Sequence, residues 1–406
     1  MKPLQRVPAS DLARLRAALA AALEGGPAVW PVPDAGAASA GEASGAGAAE
    51  ASADLPAELR AVDDAVALVV ETSGSTAAPK RVALTADALV ASAEATHEAL
   101  GGHGQWLLAL PGHYIAGAQV LVRSELAGLD PVTVPEGGFT AAGFAAAAAT
   151  MLPGMPHYAS LVPVQLARLV EGADRDPFVA AALRSFDAVL VGGQALGAEL
   201  AERAEALGAR IVRTYGSSET AGGCVYDGQA LEGVRVRVVD GEVQLGGPTL
   251  ASGYLGDPER TARAFLVERG ERWYRTGDLG ELLDDGRLRI RGRADDVVIS
   301  GGVKVALGEV ERAIRGLAGF AEAVVVAVRD GEWGERPGVA VEASALAGRG
   351  DDAVREQLAA MAAAVDAAGL PPAGRPVRLA ALESMPRLDS GKPDRRVVAA
   401  LLAARA

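Results

Sequence analysis

The sequence contains very little cysteine, and several other features that define whole classes of protein are absent. Cys224 is the single cysteine among 406 residues, which excludes a disulfide within the chain and fits a reducing compartment. The sequence has no run of about 18 apolar residues and no N-terminal basic segment followed by an apolar one. Its formal net charge of −13 is opposite to what binds nucleic acid or anionic membranes. We therefore expect a soluble, cytoplasmic protein with no nucleic-acid partner and no stable membrane association.

Lysine is also scarce. Only four of the 39 basic residues are lysines, namely Lys2, Lys80, Lys304 and Lys392. Arginine can replace lysine wherever only charge is needed, but not where a compact ammonium must fit beside a phosphate or a reacting group. The last three lysines lie near glycine, proline or hydroxyl residues, in segments that we predict to be loops. We interpret these three lysines as residues that contact a phosphate or a reacting group. The alternative is that three lysines occur in loops by chance.

The length and the order of the predicted elements indicate an α/β protein of two domains. A chain of 406 residues exceeds one typical hydrophobic core. Residues 34–53 are alanine, glycine and serine with scattered glutamate, a composition that predicts a flexible loop. Apolar strands alternate with helical patterns; for example, a strand at 187–191 ends in two glycines before a helix that continues to Gly208. This succession is typical of doubly wound folds.

A hydroxyl-rich segment, T-S-G-S-T-A-A-P-K, occupies residues 72–80. It follows an apolar strand at 65–70 and precedes Thr85, the predicted N-cap of a helix that ends at Leu100. Hydroxyls, backbone N–H groups and one lysine can together hold a polyphosphate, although an ordinary surface turn has a similar composition. The segment is not a Walker A motif, because Pro79 and Arg81 stand where that motif needs glycine and a hydroxyl. We predict a strand, a phosphate loop and a helix in direct succession.

Three further motifs follow in order. Residues 215–220 read Y-G-S-S-E-T, in which Glu219 could hold Mg²⁺ beside phosphates and the tyrosine could stack on a base. Residues 274–278 read Y-R-T-G-D, which places Asp278 at a glycine turn where a carboxylate can accept hydrogen bonds from a ribose. A charged and glycine-rich run, R-G-R-A-D-D-V-V-I-S-G-G-V-K-V, spans residues 291–305.

These motifs resemble those of the adenylate-forming superfamily, which includes acyl-CoA synthetases, luciferases and nonribosomal adenylation domains. The resemblance covers residues from about 62 to 398 and departs from the usual pattern at Ala77, where the family has glycine. It implies a large N-terminal adenylate-forming domain at residues 1–293, with doubly wound sheets and a β-rich subdomain. A small α+β lid at residues 294–406 would complete the chain and would move during the reaction.

The resemblance also implies roles for individual residues. The nucleotide-binding residues would be Thr72, Ser73, Gly74, Ser75, Thr76, Lys80, Gly193, Tyr215, Gly216, Thr220, Asp278 and Arg293. The catalytic residues would be Lys392, Glu219 and Thr76, with Glu219 as the Mg²⁺ ligand. The hinge and the route of CoA would use Asp295, Gly301, Gly302 and Lys304.

Two further segments resemble 2-succinylbenzoate-CoA ligases within that superfamily. Residues 160–166 read S-L-V-P-V-Q-L and residues 192–196 read G-G-Q-A-L, a pair at the spacing that those ligases show. The candidate residues for the acyl pocket are His113, Tyr114, Ser160, Gln165 and Gln194. For His113, a structural role with hydrogen bonds to nearby backbone is an equal alternative.

The resemblance implies an enzyme that uses ATP, Mg²⁺ and CoA to convert a small carboxylic acid to its CoA thioester. The implied substrate is 2-succinylbenzoate, which would place the protein in menaquinone biosynthesis. Another aryl or medium-chain acid is the first alternative, and a nucleotide-binding regulator without catalysis, favoured only by Ala77, is the second. A domain that loads a carrier protein is disfavoured because no carrier segment with a serine follows Arg396. The oligomeric state stays open, with a homodimer as one expected form.

Overall fold

The computed structural model describes residues 1–33, 59–72, 79–135, 138–346, 351–388 and 392–404. The predicted flexible loop at 34–53 and most of the predicted phosphate loop lie outside these ranges. The chain divides into two compact units. The first unit comprises Met1–Gly193, Ala204–Arg237 and Gln244–Arg275, and the second comprises Gln194–Arg203, Val238–Val243 and Thr276–Ala406. The predicted domain boundary between residues 293 and 294 stays a prediction.

A sheet of mixed strands begins the first unit. Its strand order is β15-β5-β4-β2-β1-β3, with β1 and β4 both parallel to β2. The strands are β1 (Lys2–Pro8), β2 (Ala28–Val32), β3 (Ala61–Val62), β4 (Val66–Thr72), β5 (Lys80–Thr85) and β15 (Gly253–Tyr254). The core of β4 is the apolar run that the sequence predicts, and its residues from Val66 to Val70 are all buried.

The structure corrects the predicted succession of strand, loop and helix. Residues 80–85 form β5, which pairs antiparallel with β4, so that Thr72 lies opposite Lys80. The hydroxyl-rich segment therefore joins two strands of a hairpin and does not open a helix. Thr85 is nevertheless the helix N-cap, as predicted, because its hydroxyl accepts a hydrogen bond of 3.0 Å from the Ala88 N–H.

A second sheet of the first unit is largely parallel, as the doubly wound pattern predicts. Its strand order is β12-β11-β10-β9-β8-β6-β7, and the neighbours from β10 to β7 run parallel. The strands are β6 (Gln105–Leu108), β7 (Val132–Thr133), β8 (His157–Leu161), β9 (Ala188–Val191), β10 (Ile211–Ser217), β11 (Gly222–Tyr226) and β12 (Gln229–Ala230). Large side chains such as Trp106, Tyr158 and Phe144 are fully buried around it.

Helices connect these strands. They are α1 (Leu12–Leu23), α2 (Ala86–Leu100), α3 (Ile115–Leu126), α4 (Ala141–Ala148), α5 (Pro163–Ala173), α6 (Pro177–Arg184), α7 (Ala198–Ala206) and α8 (Pro258–Ala264). The sequence accounts for several of their ends. Gly101 stops α2 in the left-handed conformation, with φ of 90°, and Pro163 begins α5 where a missing N–H costs nothing.

A third sheet has the strand order β13-β14-β17-β16, with β18 paired to β17. Its strands are β13 (Arg235–Val239), β14 (Glu242–Gly246), β16 (Phe265–Glu268), β17 (Glu271–Leu282) and β18 (Leu288–Arg293). The dipeptides Asp240-Gly241 and Asp285-Gly286, which are typical of hairpin turns, lie between β13 and β14 and between β17 and β18.

The second unit contains a sheet covered by helices on both faces. Its strand order is β20-β19-β22-β21, with β23 paired to β22. The elements are β19 (Val297–Ser300), β20 (Val303–Ala306), α9 (Leu307–Arg315), β21 (Val324–Asp330), β22 (Gly334–Glu342), α10 (Asp351–Ala367), β23 (Arg378–Leu382) and α11 (Arg395–Ala403). Because side chains alternate along β21, Val325 packs into the core with α9 and α10, while Val324 packs into the core with α11.

Candidate nucleotide-binding site

The turn after β10 brings together the residues of the Y-G-S-S-E-T motif. Tyr215 and Gly216 lie near the end of β10, which ends at Ser217, and Ser218–Thr220 form a single turn of 3₁₀ helix. Position 216 requires glycine, because a Cβ there would lie 2.1 Å from the backbone oxygen of Gly222. Tyr215 is half-buried, while Gly216 is exposed.

Thr220 holds the shape of this turn. Its side chain is fully buried, and its Oγ1 donates a hydrogen bond of 2.8 Å to the Gly222 oxygen. Thr220 Oγ1 also accepts a hydrogen bond of 2.9 Å from the Ser217 N–H. The predicted contact between Thr220 and a phosphate stays a prediction, since within this structure the hydroxyl serves the turn itself.

Glu219 is a buried carboxylate, only 6 % exposed, and its position is supported from β15. Tyr254 Oη donates a hydrogen bond of 2.8 Å to Glu219 Oε1, and the Ala251 N–H donates one of 2.9 Å to the Glu219 backbone oxygen. Burial, with added effects of the Glu219 charge and hydrogen bond, raises the pKa of the Tyr254 hydroxyl, so that the tyrosine remains a hydrogen-bond donor. A local sequence pattern does not predict the role of Tyr254, because its partner Glu219 lies 35 positions away along the chain.

Lys80 lies near the same tyrosine. Its Nζ is 5.7 Å from the centre of the Tyr254 ring, a distance at which a cation is attracted to an aromatic face. The structure therefore brings together a lysine, a tyrosine and a buried glutamate, which belong to three separate stretches of the sequence. Among the other predicted phosphate-loop residues, Thr72 is half-buried opposite Lys80. Ser73, Gly74, Ser75 and Thr76 lie outside the described residues.

These residues fit a magnesium ion. Mg²⁺ in phosphate sites is typically held by one or two carboxylates together with phosphate oxygens. Glu219 supplies such a carboxylate, and Tyr254 fixes its orientation through the 2.8 Å hydrogen bond. Bound there, the ion would neutralise phosphate charge.

The predicted acyl-pocket residues of the first unit lie on β8, on α5 and in the loop between β6 and α3. Ser160 is buried on β8, and the rings of His113 and Tyr114 lie 4.2 Å apart just before α3. Gln165 is buried and structural in its contacts, since its Nε2 donates to the Ala109 oxygen at 2.8 Å and its Oε1 accepts from the Val162 N–H at 3.1 Å. Gly193 is exposed with φ of 81° after β9.

Among the predicted residues of the second unit, Asp278 and Arg293 are direct neighbours. They lie opposite each other on β17 and β18, and Arg293 Nη1 donates to Asp278 Oδ1 at 3.1 Å. The same guanidinium donates through Nε to Asp295 Oδ1 at 3.0 Å. Burial alone would lower the pKa of Arg293, but the charges and hydrogen bonds of Asp295 and Asp278 outweigh it and raise that pKa.

The glycine turn before Asp278 is tied to β14. The Gly277 N–H donates to Glu242 Oε1 at 3.1 Å, and Thr276 Oγ1 donates to the Val243 oxygen at 2.8 Å. The Asp278 N–H in turn donates to Thr276 Oγ1 at 2.9 Å. The threonine of the T-G-D motif therefore fixes the backbone that carries the aspartate.

The other predicted residues of the second unit lie in three separate places along the chain. Gly301 and Gly302 form the two-residue turn between β19 and β20, and both have positive φ, 55° and 83°, which glycine adopts without strain. Lys304 is exposed on β20, and Lys392 is exposed shortly before α11. Gln194 is half-buried. The expectation of lysines in loops is wrong for Lys80 and Lys304, which are strand residues.

Among the described residues, no helix has the combination of length and apolar character that a membrane crossing requires.

Comparison with known proteins identifies the family. Residues 11–255 match the model of the AMP-binding enzyme family. A Mycobacterium tuberculosis protein named "Probable 2-succinylbenzoate--CoA ligase" is 42 % identical over 342 residues, which are 82 % of this chain and 84 % of that protein. The 2-succinylbenzoate--CoA ligase of Salmonella typhimurium is 35 % identical over 287 residues, which are 68 % of this chain and 58 % of that protein.

Solved structures agree with the sequence relatives. The o-succinylbenzoate CoA synthetase (MenE) of Bacillus subtilis, in complex with the acyl-adenylate intermediate OSB-AMP, is similar with a TM-score of 0.68 and 25 % identity, and the match covers 82 % of this chain and 69 % of that one. The amide bond synthetase McbA of Marinactinospora thermotolerans matches with a TM-score of 0.71 and 25 % identity over 99 % of this chain and 80 % of that one. The predicted superfamily and fold class are confirmed, and the chain belongs to the family of AMP-binding enzymes.

Proposed function

We propose that the protein is an ATP-dependent acid–CoA ligase that converts 2-succinylbenzoate to 2-succinylbenzoyl-CoA, a step of menaquinone biosynthesis. The observation that carries the choice of substrate is the 42 % identity, over 82 % of the chain, to the mycobacterial relative of that name. The observation that supports the chemistry is the buried Glu219, oriented by Tyr254 in the turn after β10.

The reaction would proceed in two halves. First, an oxygen of the substrate carboxylate attacks the α-phosphorus of ATP; the bond to the β-phosphate breaks, and pyrophosphate leaves. Then the thiol of CoA, which loses its proton, attacks the acyl carbon; the bond to AMP breaks, and the thioester remains. Both transition states gather negative charge on oxygen, so the task of the protein is to position the reactants and to stabilise charge.

Each residue has a defined task in this proposal. Lys80 and the phosphate loop would hold the β- and γ-phosphates, and Glu219 would hold a magnesium ion, which would supply positive charge beside them. Asp278 accepts hydrogen bonds from the ribose, while Arg293 keeps that aspartate in place through the 3.1 Å contact. Lys392 contacts the attacking carboxylate and the α-phosphate, and Lys304 lies on the route of CoA.

The test is pyrophosphate release and thioester formation with ATP, Mg²⁺, CoA and a panel of acids. The panel comprises 2-succinylbenzoate, benzoate and octanoate, of which benzoate lacks the second carboxylate. We expect selective turnover of 2-succinylbenzoate with formation of its CoA thioester. Equal or better turnover of another acid would keep the mechanism but remove the proposed substrate. ATP binding without turnover of any acid would favour the regulator without catalysis.

A further inference from the structure

Three side chains with metal-binding atoms converge at the end of α2, in the first unit and apart from the motifs above. Glu94 and His97 lie one helical turn apart on α2, and His103 follows three residues after the helix ends. Their ligand atoms all lie within 4.8 Å of one another. Glu94 Oε2 is 4.0 Å from His97 Nδ1 and 3.7 Å from His103 Nε2, and the two imidazole rings are centred 4.2 Å apart.

His97 has an unusual environment for a buried polar residue. Its side chain is 2 % exposed, and neither ring nitrogen has a hydrogen-bond partner among the described residues. Buried polar atoms are nearly always paired, because an unpaired one loses its hydration without compensation. An imidazole nitrogen that carries no proton keeps a lone pair that can bind a metal ion.

One aromatic ring and one cation outside the cluster also act on His97. Trp106 lies 6.4 Å away between ring centres, and Arg123 of α3 carries a positive charge that acts on the histidine. The guanidinium of Arg123 is directed elsewhere, since it lies 4.8 Å over the Trp106 ring and donates to Thr96 Oγ1 at 3.1 Å. Its charge weakens cation binding, whereas the Glu94 carboxylate favours it.

We propose that Glu94, His97 and His103 bind one zinc-like divalent transition-metal ion, which fastens the end of α2 to the loop that leads into β6. Two imidazole nitrogens and one carboxylate oxygen suit Zn²⁺, whereas Mg²⁺ prefers oxygen ligands alone. Tetrahedral bonds of about 2.1 Å place neighbouring ligand atoms about 3.4 Å apart. The observed 4.0 and 3.7 Å exceed this spacing by less than about 1 Å, and the 4.8 Å limit for the whole cluster exceeds it by about 1.4 Å.

Movements of this size are available to two of the three ligands. Glu94 is 50 % exposed and His103 is 49 % exposed, so both side chains can adjust towards the fixed His97. Three protein ligands leave a fourth position that water can fill. The proposal does not depend on the proposed ligase function, since the site uses none of its residues and binds its ion without ATP.

The test uses the full chain without an affinity tag, first depleted of metal with a chelator. Zn²⁺ is then titrated in competition with a chromophoric chelator, and bound Co²⁺ and Zn²⁺ are examined by absorption and X-ray absorption spectroscopy. We expect one ion per chain and a zinc spectrum with two imidazole ligands. ATP and substrate are left out, so a failure of the ligase assay and a failure of metal binding remain separate results.

Variants at the two exposed ligands make the test specific. His103→Ala and Glu94→Gln should each weaken Zn²⁺ binding by at least about tenfold, as loss of one ligand does, without disturbing the core. The matched controls are His157→Ala, a histidine outside the cluster whose Nε2 lies 2.7 Å from the Leu152 oxygen, and Glu98→Gln, an exposed glutamate on the same helix. Both controls should bind zinc as the parent chain does. Absence of a stoichiometric ion, or equal affinity of all variants, meaning an adventitious ion only, would overturn the proposal.

Discussion

Tyr254 donates a hydrogen bond of 2.8 Å to Oε1 of Glu219, and this contact joins the turn after β10 to strand β15. Both side chains are buried, and β15 pairs in turn with β5, the strand that begins at Lys80. The carboxylate proposed to bind magnesium is therefore held by the sheet that carries the phosphate-loop lysine. A carboxylate fixed in this way does not have to be ordered when the nucleotide arrives.

Glu219→Gln and Tyr254→Phe should separate the charge of this site from its orientation. Glu219→Gln removes the charge, and we expect pyrophosphate release to fall by at least about 100-fold with a higher Mg²⁺ requirement. Tyr254→Phe removes a hydrogen bond to a charged group, which is worth about 1.5 to 3 kcal/mol, so we expect a loss of about tenfold or more. The measurement is pyrophosphate release as a function of Mg²⁺ concentration. Full activity and an unchanged Mg²⁺ dependence in Tyr254→Phe would show that the contact does not orient the carboxylate.

Gly216→Ala should disrupt the same turn by a steric effect. The added Cβ would meet the Gly222 oxygen at 2.1 Å and the Gly223 Cα at 2.8 Å, and both are backbone atoms that cannot turn away. We expect destabilisation of about 2 to 3 kcal/mol, typical of overpacking, with weakened ATP binding. The control is Gly197→Ala, since a Cβ there meets no atom within 4 Å. The measurement is the denaturant midpoint of unfolding of each variant. Equal midpoints would contradict the expected clash of the added Cβ at position 216 with the backbone of Gly222 and Gly223.

Lys392→Ala and Lys304→Ala should divide the two half-reactions. Lys392 is exposed, but its backbone is held, because the Leu388 N–H donates to the Lys392 oxygen at 2.8 Å. We expect Lys392→Ala to lower adenylation by at least about 100-fold, since it removes charge stabilisation from that transition state, and to spare thioester formation from supplied acyl-AMP. Lys304→Ala should do the reverse, slowing only the CoA step. Equal loss of both half-reactions in Lys392→Ala would remove its assigned role.

The sequence predicts best the features that depend on neighbouring residues. The helix N-cap at Thr85 and the hairpin turn at Asp240-Gly241 each depend on local conformation, and both are present. The opposition of Asp278 and Arg293 across β17 and β18 does not follow from the turn alone, because the pairing shifts by one residue between Leu279 and Gly280.

Strands whose hydrogen-bond partners lie far away along the chain are not predicted by local sequence patterns. Strands β1 and β2 contain Pro3, Pro8 and Pro31, which argue against strands in a local reading. Their parallel partners, however, lie about 25 to 40 residues away along the chain and provide the hydrogen bonds that a local pattern cannot show. The hydrogen bond between Glu219 and Tyr254 could not be predicted for the same reason, since neither segment of the sequence specifies the other.

The second unit provides a last prediction, which concerns Glu311 and the helix that follows Lys392. Glu311 is 9 % exposed; its Oε2 accepts from Arg395 Nη2 at 2.7 Å and from the Val325 N–H at 2.9 Å, and its Oε1 lies 3.0 Å from Arg315 Nη2. Arg395 begins α11, so this carboxylate fastens the segment that carries Lys392 to β21. Glu311→Ala removes the acceptor of the buried Val325 N–H and the carboxylate partner of Arg315 and Arg395.

We expect Glu311→Ala to destabilise the protein by about 3 kcal/mol, as the loss of one partner from a buried ion pair does. Asp352→Ala is the matched control, because its ion pair with Arg355 is largely exposed, at 97 % and 75 %, and should change stability by less than about 0.5 kcal/mol. Denaturant unfolding measures both variants. Because the Glu311 cluster positions α11, adenylation by the folded Glu311→Ala protein should also fall, while thioester formation from acyl-AMP is retained. A variant as stable as the parent chain would mean that the cluster contributes no net stability.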